Sequence, residues 1–220
     1  MIKITNTEVH GFEAAIRGAR NPMNSWDLSD SYWDIQDDVT AIEGGTTYIN
    51  RLQPDYTIGN RDMRLLTSLA KAGPDHGKFL RMITVTADIL APWYWYKEYD
   101  TYKIGTTANS CSTMHKLTYK PFELADFSVD QADETTVARM ELVVSWLNEN
   151  RDLYIESGDK QYWWDMIQML PSSYNQLRTV HLNYAVLKAM YHARCNHKLQ
   201  EWHDFCAWVR SLPYAELITG

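Results

Sequence analysis

The run Trp93-Tyr94-Trp95-Tyr96 constrains this chain more than any other segment. It follows Ala91-Pro92, and proline suits the start of a helix because the N–H it lacks is one that finds no partner there. The pattern predicts a helix over Trp93 to Tyr102. A helix ringed by aromatics has no polar side to leave in water, so it must occupy the centre of the fold or meet another subunit. Tyr162-Trp163-Trp164 poses the same problem. With 9 Trp, 14 Tyr and 5 Phe in 220 residues, disorder is excluded for most of the chain. Some of these rings could instead form a stacking platform for a base or a flavin.

Around this helix the apolar spacing alternates between strand and helix periods. Ile2, Ile4 and Val9 suit a strand, and Phe12, Ala15, Ile16 and Ala19 one face of a helix. Gly59 or Asn60 can start a helix carrying Met63, Leu65, Leu66, Leu69 and Ala70, which Gly73-Pro74 ends. Met82 to Ile89, β-branched at alternate positions, predicts a strand. From Asn21 to Asn60 the chain carries Pro22, Gly44-Gly45, Pro54, Gly59 and many Asp and Ser, and reads as a long loop inserted in a single domain spanning 1–220. Loops of this length are usually functional, which makes 21–60 a candidate lid or intersubunit arm. Lys103 to Lys120 reads as polar and weakly helical. Beyond Pro121 helical stripes dominate: Val137 to Leu147, Trp163 to Leu170, Leu182 to Tyr191, then Leu199 to Val209. The class is α+β, without internal repeats.

The formal charge of -7 lacks the basic excess that a duplex nucleic-acid binder needs. Most of it sits between Asn21 and Asp62, where eight acids face only Arg51 and Arg61. No stretch is apolar enough to span a membrane, and Met1 to Asn6 shows no secretion or lipidation pattern, so no membrane partner and a cytoplasmic location are expected. Cys111, Cys195 and Cys206 are an odd set without a CxxC pair, which suits reduced thiols. His192, Cys195, His197, His203 and Cys206 are dense but fit neither an HExxH helix nor a four-ligand finger, so no metal is expected.

Thr101 to Lys120 holds no acid, three Lys, His115 and seven Ser or Thr hydroxyls. Hydroxyls, ammonium groups and the backbone N–H groups around Gly105 are what an anionic ligand needs. The alternative is a solvated connection. Cys111 lies between Ser110 and Ser112 and is a candidate nucleophile if a neighbouring cation lowers its pKa; a packing role is the other option. Arg178, Arg194 and His197 are cations on a helical scaffold, suited to salt bridges or to gripping an anion.

Taken in order, several of these segments resemble the flavin-dependent thymidylate synthases, homotetrameric proteins that methylate deoxyuridylate using FAD. Ala15-Ile16-Arg17-Gly18-Ala19-Arg20 is similar to the family's early helix with paired arginines. Met82 to Ile89, Ala91-Pro92 and the aromatic helix resemble the lead into its signature loop, which reads Arg-His-Arg, seven residues, Ser. Here Thr101-Tyr102-Lys103 precedes Cys111 by the same interval. Leu170-Pro171, Asn183, Leu187, Arg194, His197 and Gln200 recur at nearly the family's spacing. The resemblance covers most of the chain outside 21–60 and 121–160.

The resemblance implies an α+β fold with antiparallel strands and a helical carboxy-terminal half. It places Thr101, Tyr102, Lys103, Asn183 and His197 towards FAD. Arg194, with Lys103, Asn109, Ser110, Ser112, Thr113 and His115, falls towards a pyrimidine nucleotide, and Cys111 and Arg194 stand nearest the chemistry. Thr101 and Tyr102 replace the signature's first arginine and histidine, and Thr113 and Ile167 stand where further nucleotide-binding arginines are expected. Threonine and isoleucine cannot supply an arginine's forked charge-assisted bonds. Two functions follow. One is a flavoprotein transferase placing a methyl or hydroxymethyl unit on C5 of an altered pyrimidine nucleotide. The other is a non-catalytic protein that binds a nucleotide or another small ligand on the same fold.

Overall fold

The computed structural model describes residues 2–34, 39–43, 46–50 and 55–220, with side chains described outside 35–55. In chain order the elements are β1 (Lys3–His10), α1 (Phe12–Arg20), β2 (Tyr32–Asp34), β3 (Val39–Glu43), β4 (Thr46–Asn50), β5 (Asp55–Thr57) and α2 (Asn60–Lys71). They continue with β6 (Thr84–Pro92), α3 (Trp93–Tyr99), β7 (Thr107–Ser110), α4 (Thr113–Lys116), α5 (Glu134–Ser157) and α6 (Lys160–Met169). The last are β8 (Asn175–Asn183), α7 (Tyr184–Arg194), α8 (Gln200–Ser211) and α9 (Glu216–Thr219). The fold is α+β.

Four strands form one antiparallel sheet in the order β1-β6-β8-β7. Alternation along β6 buries Val85, Ala87, Ile89 and Ala91 completely, and Val180 and Leu182 of β8 join them. The opposite face is polar: Asp88 accepts hydrogen bonds from Thr179 Oγ1 at 2.6 Å and Asn6 Nδ2 at 2.8 Å. Between β1 and α1, Gly11 adopts φ +100°, and a Cβ there would fall 2.0 Å from the Met82 carbonyl oxygen. Glycine is therefore required where the chain turns off the sheet into α1.

The aromatic helix lies at the centre. Trp95, Tyr96 and Tyr99 of α3 are buried, and the Trp95 ring centroid lies 4.9 Å from Trp202 and 5.8 Å from Phe205 of α8. Trp93 turns the other way, into a second apolar cluster built from Leu117, Phe122, Phe127, Leu147, Met166 and Leu170. One helix thus serves the sheet-backed core and the α5–α6 lobe together.

Four sequence expectations need correction. The aromatic helix stops at Tyr99 instead of reaching Tyr102, because the Thr101 hydroxyl donates to the Glu98 carbonyl at 2.7 Å and closes the last turn. The segment around 107–110, expected to be weakly helical, is edge strand β7, held by pairing with β8 rather than by apolar burial. Leu182, placed in a helical stripe, belongs to β8. Finally, 21–60 is not a plain loop: β2 pairs with β5, and β3 with β4. Trp33 and Tyr56, at the base of this segment, pack with centroids 5.0 Å apart. Residues 35–38, 44–45 and 51–54 of the expected loop lie outside the described residues.

Candidate functional site

The last turn of α3 faces the carboxy-terminal end of α7. With Trp95 and Tyr99 directed inward, Glu98, one turn on from Trp95, is brought against α8. Its Oε2 atom receives Arg194 Nη1 at 2.6 Å, Trp202 Nε1 at 3.2 Å and His197 Nε2 at 3.1 Å. The Leu199 N–H donates to His197 Nδ1 at 3.1 Å, which leaves Nε2 as the ring nitrogen that faces Glu98. Arg194 also donates from Nε to the Tyr102 hydroxyl at 2.9 Å. Its guanidinium lies 5.0 Å from the Trp202 ring centroid and 5.6 Å from that of Tyr102. A cation ending α7 is further favoured by the partial negative charge of a helix carboxy terminus.

The loop after α3 runs back along α7. Thr106 Oγ1 donates to the Tyr102 carbonyl, and Gly105 follows a left-handed path at φ +79°. A Cβ on Gly105 would stand 2.8 Å from Asn183 Nδ2, so only glycine lets the loop pass this close. The Asn183 side-chain oxygen accepts the Val186 N–H at 3.0 Å and caps α7. Lys103 is exposed, with no ion pair among the described residues.

Beyond Thr106 the stretch leaves α7 and joins β8. Asn109 and Ser110 lie opposite Thr179 and Arg178. The Cys111 backbone is held by Leu177 and Gln176 while its side chain is exposed. Ser112 caps the short turn α4, accepting the His115 N–H at 3.3 Å, and Thr113 and His115 belong to that turn. Ser110 opens onto a cleft of about 330 Å³ shared with Tyr96, Lys97, Asp100, Gln176 and Arg178. Here Arg178 lies over the Tyr96 ring at 3.7 Å and donates to Asp100 Oδ1 at 2.7 Å and Gln176 Oε1 at 3.0 Å. Burial raises the Tyr96 pKa well above the usual phenol range, and its hydroxyl donates to the Ile89 carbonyl at 2.6 Å. Tyr96 is therefore a stacking surface rather than an acid.

The sequence-derived residues thus fall into two adjoining groups. Tyr102, Arg194 and His197 gather with Glu98 at the carboxy-terminal end of α7, Asn183 caps its other end beside Gly105, and Thr101 and Lys103 lie on the loop after α3. Asn109, Ser110, Cys111, Ser112, Thr113 and His115 follow β7 away from Arg194, towards Arg178. Glu98, Trp202 and Gln176 were not singled out from sequence, and Arg178, expected as a cation on a helical scaffold, lies instead on strand β8. The available signal for Glu98 was slight: it is the lone acid between Trp93 and Tyr99. A larger cleft of about 880 Å³, lined by His10, Glu13, Trp33, Tyr56 and Tyr214 among others, contains none of these groups. Glu13 is already engaged by Trp33 Nε1 at 3.2 Å. Chemistry rather than size therefore selects the α3–α7–β7 region. Among the described residues no group of three or more His, Cys, Asp or Glu could hold a metal, and no helix is long and apolar enough to cross a membrane.

This architecture is that of the flavin-dependent thymidylate synthases. A solved structure of that enzyme, ThyX from Helicobacter pylori, complexed with FAD and dUMP, superposes with a TM-score of 0.72 at 18% identity, covering 99% of this chain and 98% of that one. A second ThyX structure from the same organism, with FAD and dUMP, gives 0.70 at 16% identity, covering 100% and 97%. No family model and no curated protein matches the sequence.

Proposed function

We propose that this protein is a flavin-dependent thymidylate synthase-like transferase that places a one-carbon unit on C5 of a pyrimidine nucleotide altered from deoxyuridylate, working as a cytoplasmic homotetramer. The observation that carries this reading is that the 102–105 loop touches α7 at both ends, Tyr102 at Arg194 and Gly105 beside Asn183. The loop in the position of the family's signature lies against the residues that the resemblance assigns to flavin and nucleotide. The chain offers a flavin the exposed Lys103, the hydroxyl proton of Tyr102 and the amide donors of Asn183, whose oxygen is already used in capping. A bound flavin supplies the redox chemistry of the transfer. Arg194, with Glu98, Trp202 and His197 fixing its direction, orients the nucleotide. Ser110 to Thr113 and His115 offer donors to its anionic part, and Cys111 stands beside them as a candidate nucleophile. The segment 21–60 acts as a lid or intersubunit arm over sites built where subunits meet.

A second reading rests on Arg194 and Arg178, whose guanidiniums already hold Glu98 and Asp100. Such a scaffold suits a nucleotide-binding protein without turnover. Titration with FAD, followed by flavin fluorescence, and thermal denaturation with dUMP and other pyrimidine nucleotides separate the two. Flavin binding together with a one-carbon mass gain on the nucleotide supports the transferase. Stabilisation by a nucleotide with no response to FAD supports the binder. Absence of both responses overturns both readings.

A further inference from the structure

We propose that a separate pocket, between the carboxy-terminal end of α2 and the outer face of α7, binds a small organic anion: a phosphate monoester or carboxylate with an apolar body. Ala185, Lys188, Ala189 and His192 recur at the spacing of one helical face, turned away from the face that carries Leu187 and Met190 into the core. The two alanines leave a hollow of about 240 Å³, closed on the other side by Ala70, Pro74 and Leu80. Arg81, Lys188 and His192 stand around it, and no Asp or Glu is among the described residues that line it.

Two of these three side chains have no hydrogen bond or ion pair among the described residues, and the third is held by main-chain oxygens. Neither Arg81 nor His192 forms an ion pair among the described residues. Lys188 Nζ donates to main-chain oxygens, Ala70 O at 3.2 Å and Gly220 O at 3.1 Å. Burial, reinforced by the nearby Lys71 charge, holds the Lys188 pKa below the usual lysine range. In a chain of net charge -7, a hollow with apolar walls, two cations and an imidazole at its rim selects a guest with an anionic head and an apolar body. Charge-assisted hydrogen bonds would hold the head, and the walls would take the body out of water. The volume lies below the range typical of drug-sized ligands, roughly 300–1,000 Å³, so FAD is too large and a compact anion fits. The inference does not depend on the transferase reading.

Calorimetric titration of the whole chain with phenyl phosphate and with benzoate tests it, with inorganic phosphate and benzyl alcohol as the separate halves. Saturable binding of either aromatic anion is expected, about tenfold tighter than its halves. Arg81→Met and Lys188→Met should each weaken it about tenfold, Ala189→Trp should abolish it by filling the hollow, and Arg194→Ala should leave it unchanged. Arg81 is exposed and makes no structural contact among those described, so that variant remains informative even if Lys188→Met fails to fold. No saturable binding, equal affinity for inorganic phosphate, or binding that survives Ala189→Trp would overturn the proposal. Loss of binding in Arg194→Ala alone would assign the anion to the other site.

Discussion

Two arginine–carboxylate pairs in this molecule look alike in distance and differ in everything around them. Arg20 and Asp62 are almost wholly buried, with Arg20 Nε and Nη2 each 2.6 Å from Asp62 Oδ1. Ser29 and Ser31 hydroxyls and the Asp30 N–H occupy Oδ2, while Arg20 Nη1 and Nη2 reach the Ser25 and Leu28 carbonyls. Each atom has its partner, and the cluster ties the turns after α1 to the start of α2. In contrast, Arg194 and Glu98 are partly exposed, and Arg194, Trp202 and His197 all crowd onto a single carboxylate oxygen. A saturated pair can only hold the fold, whereas an unsaturated one at the surface retains bonding capacity for a guest.

Removing Asp62 tests the first half of that contrast most severely. Asp62→Ala leaves a buried guanidinium without its counter-charge and should cost about 3–5 kcal/mol in urea denaturation. The pH dependence carries the same signature. Burial pushes the Asp62 pKa up, but bonds from Ser29, Ser31 and Arg20 outweigh it and leave the carboxyl below its usual value. A depressed folded-state pKa means stabilisation that is complete above the unfolded value, about 4, and lost as pH falls through the folded one. Asp62→Asn should flatten the acid limb of the stability curve accordingly.

Arg194→Ala should behave oppositely, costing about 1 kcal/mol of stability or less while weakening nucleotide binding by about tenfold or more in equilibrium titration. A stability loss equal to that of Asp62→Ala would erase the distinction between the pairs. Asn183→Ala removes a helix cap and should cost about 1 kcal/mol, and it should also increase hydrogen exchange in the 101–106 loop if the contact at Gly105 steadies that loop. The thiols give the smallest test. Cys111→Ser should shift stability by no more than about 0.5 kcal/mol. Iodoacetamide should modify exposed Cys111 in the native protein but spare Cys206, which is buried and whose pKa burial pushes up to about 11.

Legibility followed burial. Rings on all sides of α3 left the centre of the fold or a subunit contact as its place, and Trp95, Tyr96 and Tyr99 are buried within the chain; β6 could be read because β-branched residues alternate along it. β8 was missed, although it is an inner strand. Asn175, Gln176, Arg178 and His181 dilute its alternation, and Arg178 is accommodated only because Tyr96 and Asp100, distant in sequence, receive it. β7 carries almost no strand propensity in Thr107-Ala108-Asn109-Ser110; the backbone of β8 imposes its conformation. The site shows the same division. Asn183, Arg194 and His197 entered through the family resemblance, which motifs along the chain can carry. Glu98 gains its place only from three side chains that tertiary packing brings to one atom.

The passage of the 101–106 loop along α7 has one further consequence. Arg194, the last residue of α7, reaches back to the Tyr102 hydroxyl, while Gly105 passes Asn183, the residue before its first; three residues of loop are shorter than the roughly 16 Å of helix, and the long Arg194 and Tyr102 side chains make up the difference. The path of that loop is therefore set by side chains at both ends of one helix, and shortening either contact alters the loop between them.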